Sequence, residues 1–120
     1  MGTLCVKVSA PLADAERIGQ ALAVAAAAVA GGHEVSLWLA GDCVRLGTPG
    51  GTGELTALPE AADPNDLLAT VRAVGRVTVC APCAARRGIT EADLLADVRL
   101  AGAASFVDEI MAEGARALVY

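Results

Sequence analysis

Strand-like and helix-like segments alternate along the chain, glycine or proline marks most of the changes between them, and small aliphatic residues occupy the apolar positions. Together these features predict a three-layer α/β/α sandwich around a mainly parallel five-stranded sheet. The 120 residues suit a single domain, residues 1–120, long enough to bury a core without staples. Hydrophobic residues make up 55% of the chain, yet it has only one Trp, one Tyr and one Phe. The core must therefore be built from Ala, Val, Leu and Ile, with helices packed close to the sheet.

Leu4 to Ser9 is short and apolar and reads as the first strand, closed by Pro11. Asp14 is placed to cap a long helix that runs to about Ala30, with Ile18, Leu22, Ala25, Ala26 and Val29 at helical spacing on one face. Gly31 and Gly32 end that helix and His33 to Leu39 forms the second strand, so the opening is a βαβ unit with a right-handed crossover. Gly41 to Leu46 fits one helical turn. Gly47 to Gly53 holds four glycines in seven residues and is expected to be a mobile loop. It lacks the Gly-Lys-Ser/Thr ending of a phosphate-binding P-loop.

Asp63 and Pro64 supply the cap and first turn of a helix to about Val74, with Leu67, Leu68, Val71 and Val74 facing inward, and Gly75 stops it. Arg76 to Val79 is a β-branched third strand. Thr90 and Asp93 have capping-box spacing for a short helix to about Ala96. Val98 to Ala101 reads as a fourth strand, Ala104 to Glu113 as a last helix and Arg116 to Tyr120 as a terminal strand.

Composition narrows the function classes. The formal net charge is −5 and only Arg86-Arg87 forms a basic pair, which argues against nucleic acid as a ligand. The Ala-rich run Ala21–Ala30 is far shorter than the ~20 apolar residues that span a bilayer, so no membrane helix is expected. Met1 leads straight into a strand with no basic n-region and no cleavage site, which predicts a cytoplasmic protein. Neither a carboxylate pair, a Ser-His-Asp set nor a dinucleotide fingerprint is present, and no cofactor is expected.

The chemistry concentrates at Cys80-Ala81-Pro82-Cys83, where the third strand gives way to a helical pattern. Cysteines in a cytosolic chain are more often reduced, catalytic or metal-binding than a disulfide framework. Cys80 stands at the C-terminal end of its strand, the edge where parallel α/β sheets place ligands. A helix start there offers free N–H groups, which favour a thiolate at Cys80. Cys83 has three open readings: it resolves a Cys80 persulfide or sulfenate into a disulfide, binds metal with Cys80, or packs against the sheet. A zinc centre needs four ligands and no second close cysteine pair exists, so metal is not expected. Arg86 and Arg87 are expected on a solvated face or against a partner. Cys5 is expected in the core, Cys43 as a surface thiol, and His33 as a turn residue at the edge of the sheet opposite to Cys80.

Three stretches carry a resemblance to a known family. Gly32-His33-Glu34-Val35-Ser36 opens the second strand, Cys80 stands six residues before Arg86-Arg87-Gly88-Ile89, and the chain closes with a short strand to Gly102, a helix and a hydrophobic strand. In these the chain resembles the DsrE/DsrF-like family of small sulfur-relay proteins. The resemblance implies that Cys80 carries the persulfide in a sulfurtransferase-like reaction, that the partners are sulfur donor and acceptor proteins, and that the protein is a homo-oligomer, a trimer or hexamer. Cys83 matches no cysteine required in the relay subunits. The alternatives that the residues leave open are a non-catalytic oligomeric binding or regulatory domain of the same fold and a thiol-disulfide redox protein using Cys80 and Cys83.

Overall fold

Five strands, β1 (Thr3–Val8), β2 (Glu34–Leu39), β3 (Arg76–Cys80), β4 (Val98–Ala101) and β5 (Arg116–Val119), form one sheet in the order β4-β3-β2-β1-β5. The structure, a computed structural model, describes residues 2–120. Every pairing is parallel, so the sheet is wholly and not just mainly parallel. Parallel neighbours need crossovers, and the four helices supply them: α1 (Ala15–Ala30), α2 (Pro64–Val74), α3 (Ala81–Arg86) and α4 (Ala103–Ile110).

Side chains alternate across each strand, and the two faces differ in chemistry. One face carries Val6, Val8, Val35, Leu37, Leu39, Val77 and Val79, which join Ile18, Ala21, Leu22 and Ala25 of α1 and Leu68 and Val71 of α2 in one core. Four of the six buried residues of α1 are alanine, which lets the helix lie close to the sheet as the composition predicts. Asp14 caps α1 by accepting from the Arg17 N–H at 3.2 Å, and Asp63 caps α2 through the Asn65 N–H at 2.8 Å.

The opposite face is polar. Ser36, Trp38, Thr78 and Arg99 line it, and α4 crosses it on the way from β4 at one edge to β5 at the other. Glu109 of α4 is the hub. It accepts from Ser36, from Trp38 Nε1 at 3.2 Å, from Arg76 at 3.1 Å and from Arg99 Nη2 at 2.7 Å. Phe106 meets Trp38 edge-on at 5.3 Å and lies under Lys7 Nζ at 5.0 Å. Burial alone would push the Glu109 carboxyl up, but the Ser36 hydroxyl and the two guanidiniums outweigh it and hold the group ionised below its usual range.

Four expectations are corrected. The glycine-rich stretch is not a mobile loop. Gly41–Gly47 winds into a 3-10 helix and Gly51–Glu54 into a second, with Gly47 and Gly51 buried. A Cβ on Gly47 would fall 2.6 Å from Val79 Cγ2, and one on Gly51 would fall 1.8 Å from the Arg45 carbonyl oxygen, so Gly47 permits close packing against the sheet and Gly51 against the Gly41–Gly47 turn. Val74 does not face inward: as the last residue of α2 it stands 77% exposed. The helix after Thr90 shrinks to one 3-10 turn, Glu91–Asp93, although its capping box forms. The Leu95 N–H donates to the Gly47 carbonyl at 2.8 Å and so draws the chain off the helical path. The last helix stops at Ile110, before Glu113.

Candidate thiol site at the carboxyl edge of the sheet

Cys80 is both the last residue of β3 and the N-cap of α3, and Cys83 lies in the first turn of that helix. Pro82 falls within the same turn, where its missing N–H costs no helical hydrogen bond and its fixed φ suits helix initiation. Both cysteines are free thiols and both are half-buried. They bracket the first turn of α3, and the two thiols act directly on one another.

A second element closes on the pair from β2. Gly41 opens the 3-10 helix at φ +55°, where a side chain would press the Ser9 carbonyl at 3.2 Å, and its N–H favours the Cys83 anion. Asp42 accepts from Arg87 Nε at 2.8 Å, while Arg87 Nη1 donates to the Cys83 carbonyl at 3.0 Å. Arg87 therefore ties the end of α3 to the Gly41–Gly47 segment, with only 24% of its side chain exposed. This corrects one expectation: Arg87 is a structural clamp, whereas Arg86 is the exposed arginine of the two.

The thiols are driven in opposite directions. Burial pushes the Cys80 thiol up, and its hydrogen bond and charge interaction with Cys83 add to that; the Cys83 N–H and the Lys7 ammonium only partly offset them. Burial also opposes ionisation of Cys83. There, however, the Cys80 thiol, the Gly41 N–H and the Arg86 and Arg87 charges win, so its pKa lies below the ordinary thiol value. The two thiols titrate as a coupled pair, in which Cys83 is the more acidic member. The sequence favours an anion at Cys80, whereas the surroundings make Cys83 the more acidic thiol, through the Cys80 side chain, the Gly41 N–H and the Arg86 and Arg87 charges.

The other candidates stand apart. Cys5 is fully buried, as expected. Cys43 is fully buried too, and not a surface thiol: it donates to the Ala10 carbonyl at 3.2 Å, and burial pushes its pKa up to about 12. His33 is exposed before β2, at the far end of the strands from Cys80, beside a hollow of about 410 Å3 that Thr3, Leu4, Ala28 and Arg116 also line. No group of three or more His, Cys, Asp or Glu side chains among the described residues is arranged to hold a metal ion.

Sequence reasoning missed Lys7, Gly41 and Asp42. Lys7 lies on the same sheet face as Cys80, and its charge favours a sulfur anion there. The signal available was positional: Lys7 is the penultimate residue of β1, and Gly41 and Asp42 follow β2, all at the edge that carries Cys80.

None of the curated proteins matches the chain. Among solved structures it is similar to the ychN protein from E. coli, with a TM-score of 0.78 and 20% identity over 100% of this chain and 99% of the other. It is also similar to MTH1491 from Methanobacterium thermoautotrophicum, a protein of unknown function, with a TM-score of 0.73 and 11% identity over 100% of both chains. At these identities the likeness establishes the fold. The sequence profile of the DsrE/DsrF-like family matches residues 3–120, essentially the whole length, and with the three-layer parallel architecture this establishes that the chain belongs to the DsrE/DsrF-like family.

Proposed function

We propose that the protein is a cytoplasmic sulfur relay that accepts sulfur as a persulfide on Cys80 and passes it to an acceptor thiol. The observation that carries this reading is the pairing of two half-buried free thiols of unequal acidity at the carboxyl edge of the sheet, where β3 passes into α3. Cys80 attacks the outer sulfur of a donor persulfide, the donor's S–S bond breaks, and the donor's departing sulfur takes up the Cys80 proton and leaves as a thiol. An acceptor thiol then attacks the outer sulfur and becomes the new persulfide, and Cys80 leaves and takes up the acceptor's proton, so Cys83 keeps its own protonation state through both transfers. Lys7 favours the anionic sulfur at Cys80 during both steps.

The partners of this reaction are donor and acceptor proteins, and the protein itself assembles as a homo-oligomer, a trimer or hexamer. Supporting the assembly, Val107 and Met111 are 50% and 76% exposed on or just after α4, and every residue of the edge strand β5 is exposed. Such unpartnered apolar residues on a strand edge favour a covering partner. The relay is tested by rapid alkylation and peptide mapping after mixing with glutathione persulfide. An added sulfur on the Cys80 peptide, absent in Cys80→Ser, is expected. If neither the wild type nor Cys83→Ser ever gains sulfur, the relay is refuted and a non-catalytic binding domain takes its place.

A further inference from the structure

We infer that Cys83 gives the relay an internal discharge route: with no acceptor present, it displaces the sulfur held on Cys80 as hydrosulfide and closes a Cys80–Cys83 disulfide. The inference rests on the relay reading and concerns what happens to the cargo when transfer fails.

The geometry supports this in three ways. Cys83 lies in the first turn of α3, which Cys80 caps, and the two thiol groups act directly on one another. The turn that carries Cys83 is fixed by Arg87, which donates to the Cys83 carbonyl at 3.0 Å and to Asp42 at 2.8 Å, and the Gly41 N–H favours the Cys83 anion. The two remaining cysteines, Cys5 and Cys43, are fully buried, which leaves Cys83 as the internal thiol with access to Cys80.

The step balances without an external oxidant, because the persulfide is itself the oxidised species. The Cys83 thiolate attacks the inner sulfur of Cys80–S–SH. The bond between the two persulfide sulfurs breaks, its electron pair leaves with the outer sulfur as HS⁻, and the Cys80–Cys83 bond forms. The sulfane sulfur is reduced to sulfide and the two cysteine sulfurs are oxidised to the disulfide. An external dithiol then returns both cysteines to the reduced state, becoming a disulfide itself.

The test loads reduced wild type, Cys83→Ser and Cys83→Ala with glutathione persulfide, removes the excess by gel filtration, and follows intact mass and free sulfide with no acceptor thiol. In the wild type the added-sulfur mass should give way to a form two hydrogens lighter than the reduced chain, with about one hydrosulfide released per chain. Both variants should hold the added sulfur at least about tenfold longer and release no comparable sulfide. Peptide mapping should place the wild-type disulfide at Cys80–Cys83, and dithiothreitol should restore loading. Wild type that keeps its added sulfur as long as the variants overturns the inference and leaves the relay standing. Failure of all three proteins to take up sulfur overturns both. Treatment of folded wild type with diamide is independent of either variant, and a failure to form the Cys80–Cys83 disulfide there also overturns the discharge route.

Discussion

Four cysteines in one small domain divide into two pairs with opposite fates. Cys5 and Cys43 are sealed in the fold, and burial raises both thiols, Cys43 to about 12. Cys80 and Cys83 lie half-buried at the edge of the sheet, where backbone N–H groups, arginines and the coupling between the two thiols set their acidities apart. The residue type is the same; the water and the donors around it are not. A buried thiol behaves as a small hydrophobe, and a thiol among donors and cations becomes a nucleophile or a base.

The largest test of that contrast is sulfur loading. Cys80→Ser should abolish it, while Cys5→Ala should leave it unchanged, both read by intact mass after exposure to glutathione persulfide. Loss of loading in Cys5→Ala with the fold intact would erase the division between the pairs.

Alkylation rates sharpen it next. With limiting iodoacetamide at neutral pH, peptide mapping should find Cys83 modified first and Cys80 more slowly. Cys5 and Cys43 should react at least about a thousandfold more slowly, because they wait for an unfolding event that costs on the order of 5 kcal/mol or more. Faster reaction at Cys80 than at Cys83 would contradict the order of acidities.

A smaller effect concerns alkaline stability. The Cys43 pKa is raised in the folded chain, so the unfolded chain loses its proton first as pH rises. The stabilisation is complete below the unfolded thiol value near 8.5 and is lost as pH climbs toward about 12. Across that window Cys43 should contribute a decline of at most about 1.4 kcal/mol per pH unit. Urea unfolding of Cys43→Ala should lack that part of the decline. The least effect belongs to the charges on Cys83: Arg86→Gln should raise its titration midpoint slightly, by at least as much as the loss of the Arg87 charge does, and the rise should fade in high salt.

Much of this molecule was legible in its residues. The strand and helix order follows from β-branched runs, glycine stops and the Asp14 and Asp63 caps, all of which act within a few residues of themselves. The Cys80–Cys83 pair was legible for the same reason, since its spacing and its place at a strand end are local facts. What misled was non-local. The glycines at Gly47 and Gly51 read as a flexible loop, yet they are there because Val79 and the Arg45 carbonyl approach too closely for a side chain. Cys43 read as a surface thiol because nothing near it in sequence announces the Ala10 carbonyl that receives its proton.

The sequence by itself determined the layer architecture and the turn on which the two thiols meet, because periodicity, capping and two-residue spacing are properties of neighbouring residues. Only the tertiary structure decided which thiol is the more acidic. That outcome depends on Gly41, Arg87 and Lys7, which are distant from one another along the chain and act on Cys80 and Cys83 only after the strands of β1, β2 and β3 bring their ends to one edge.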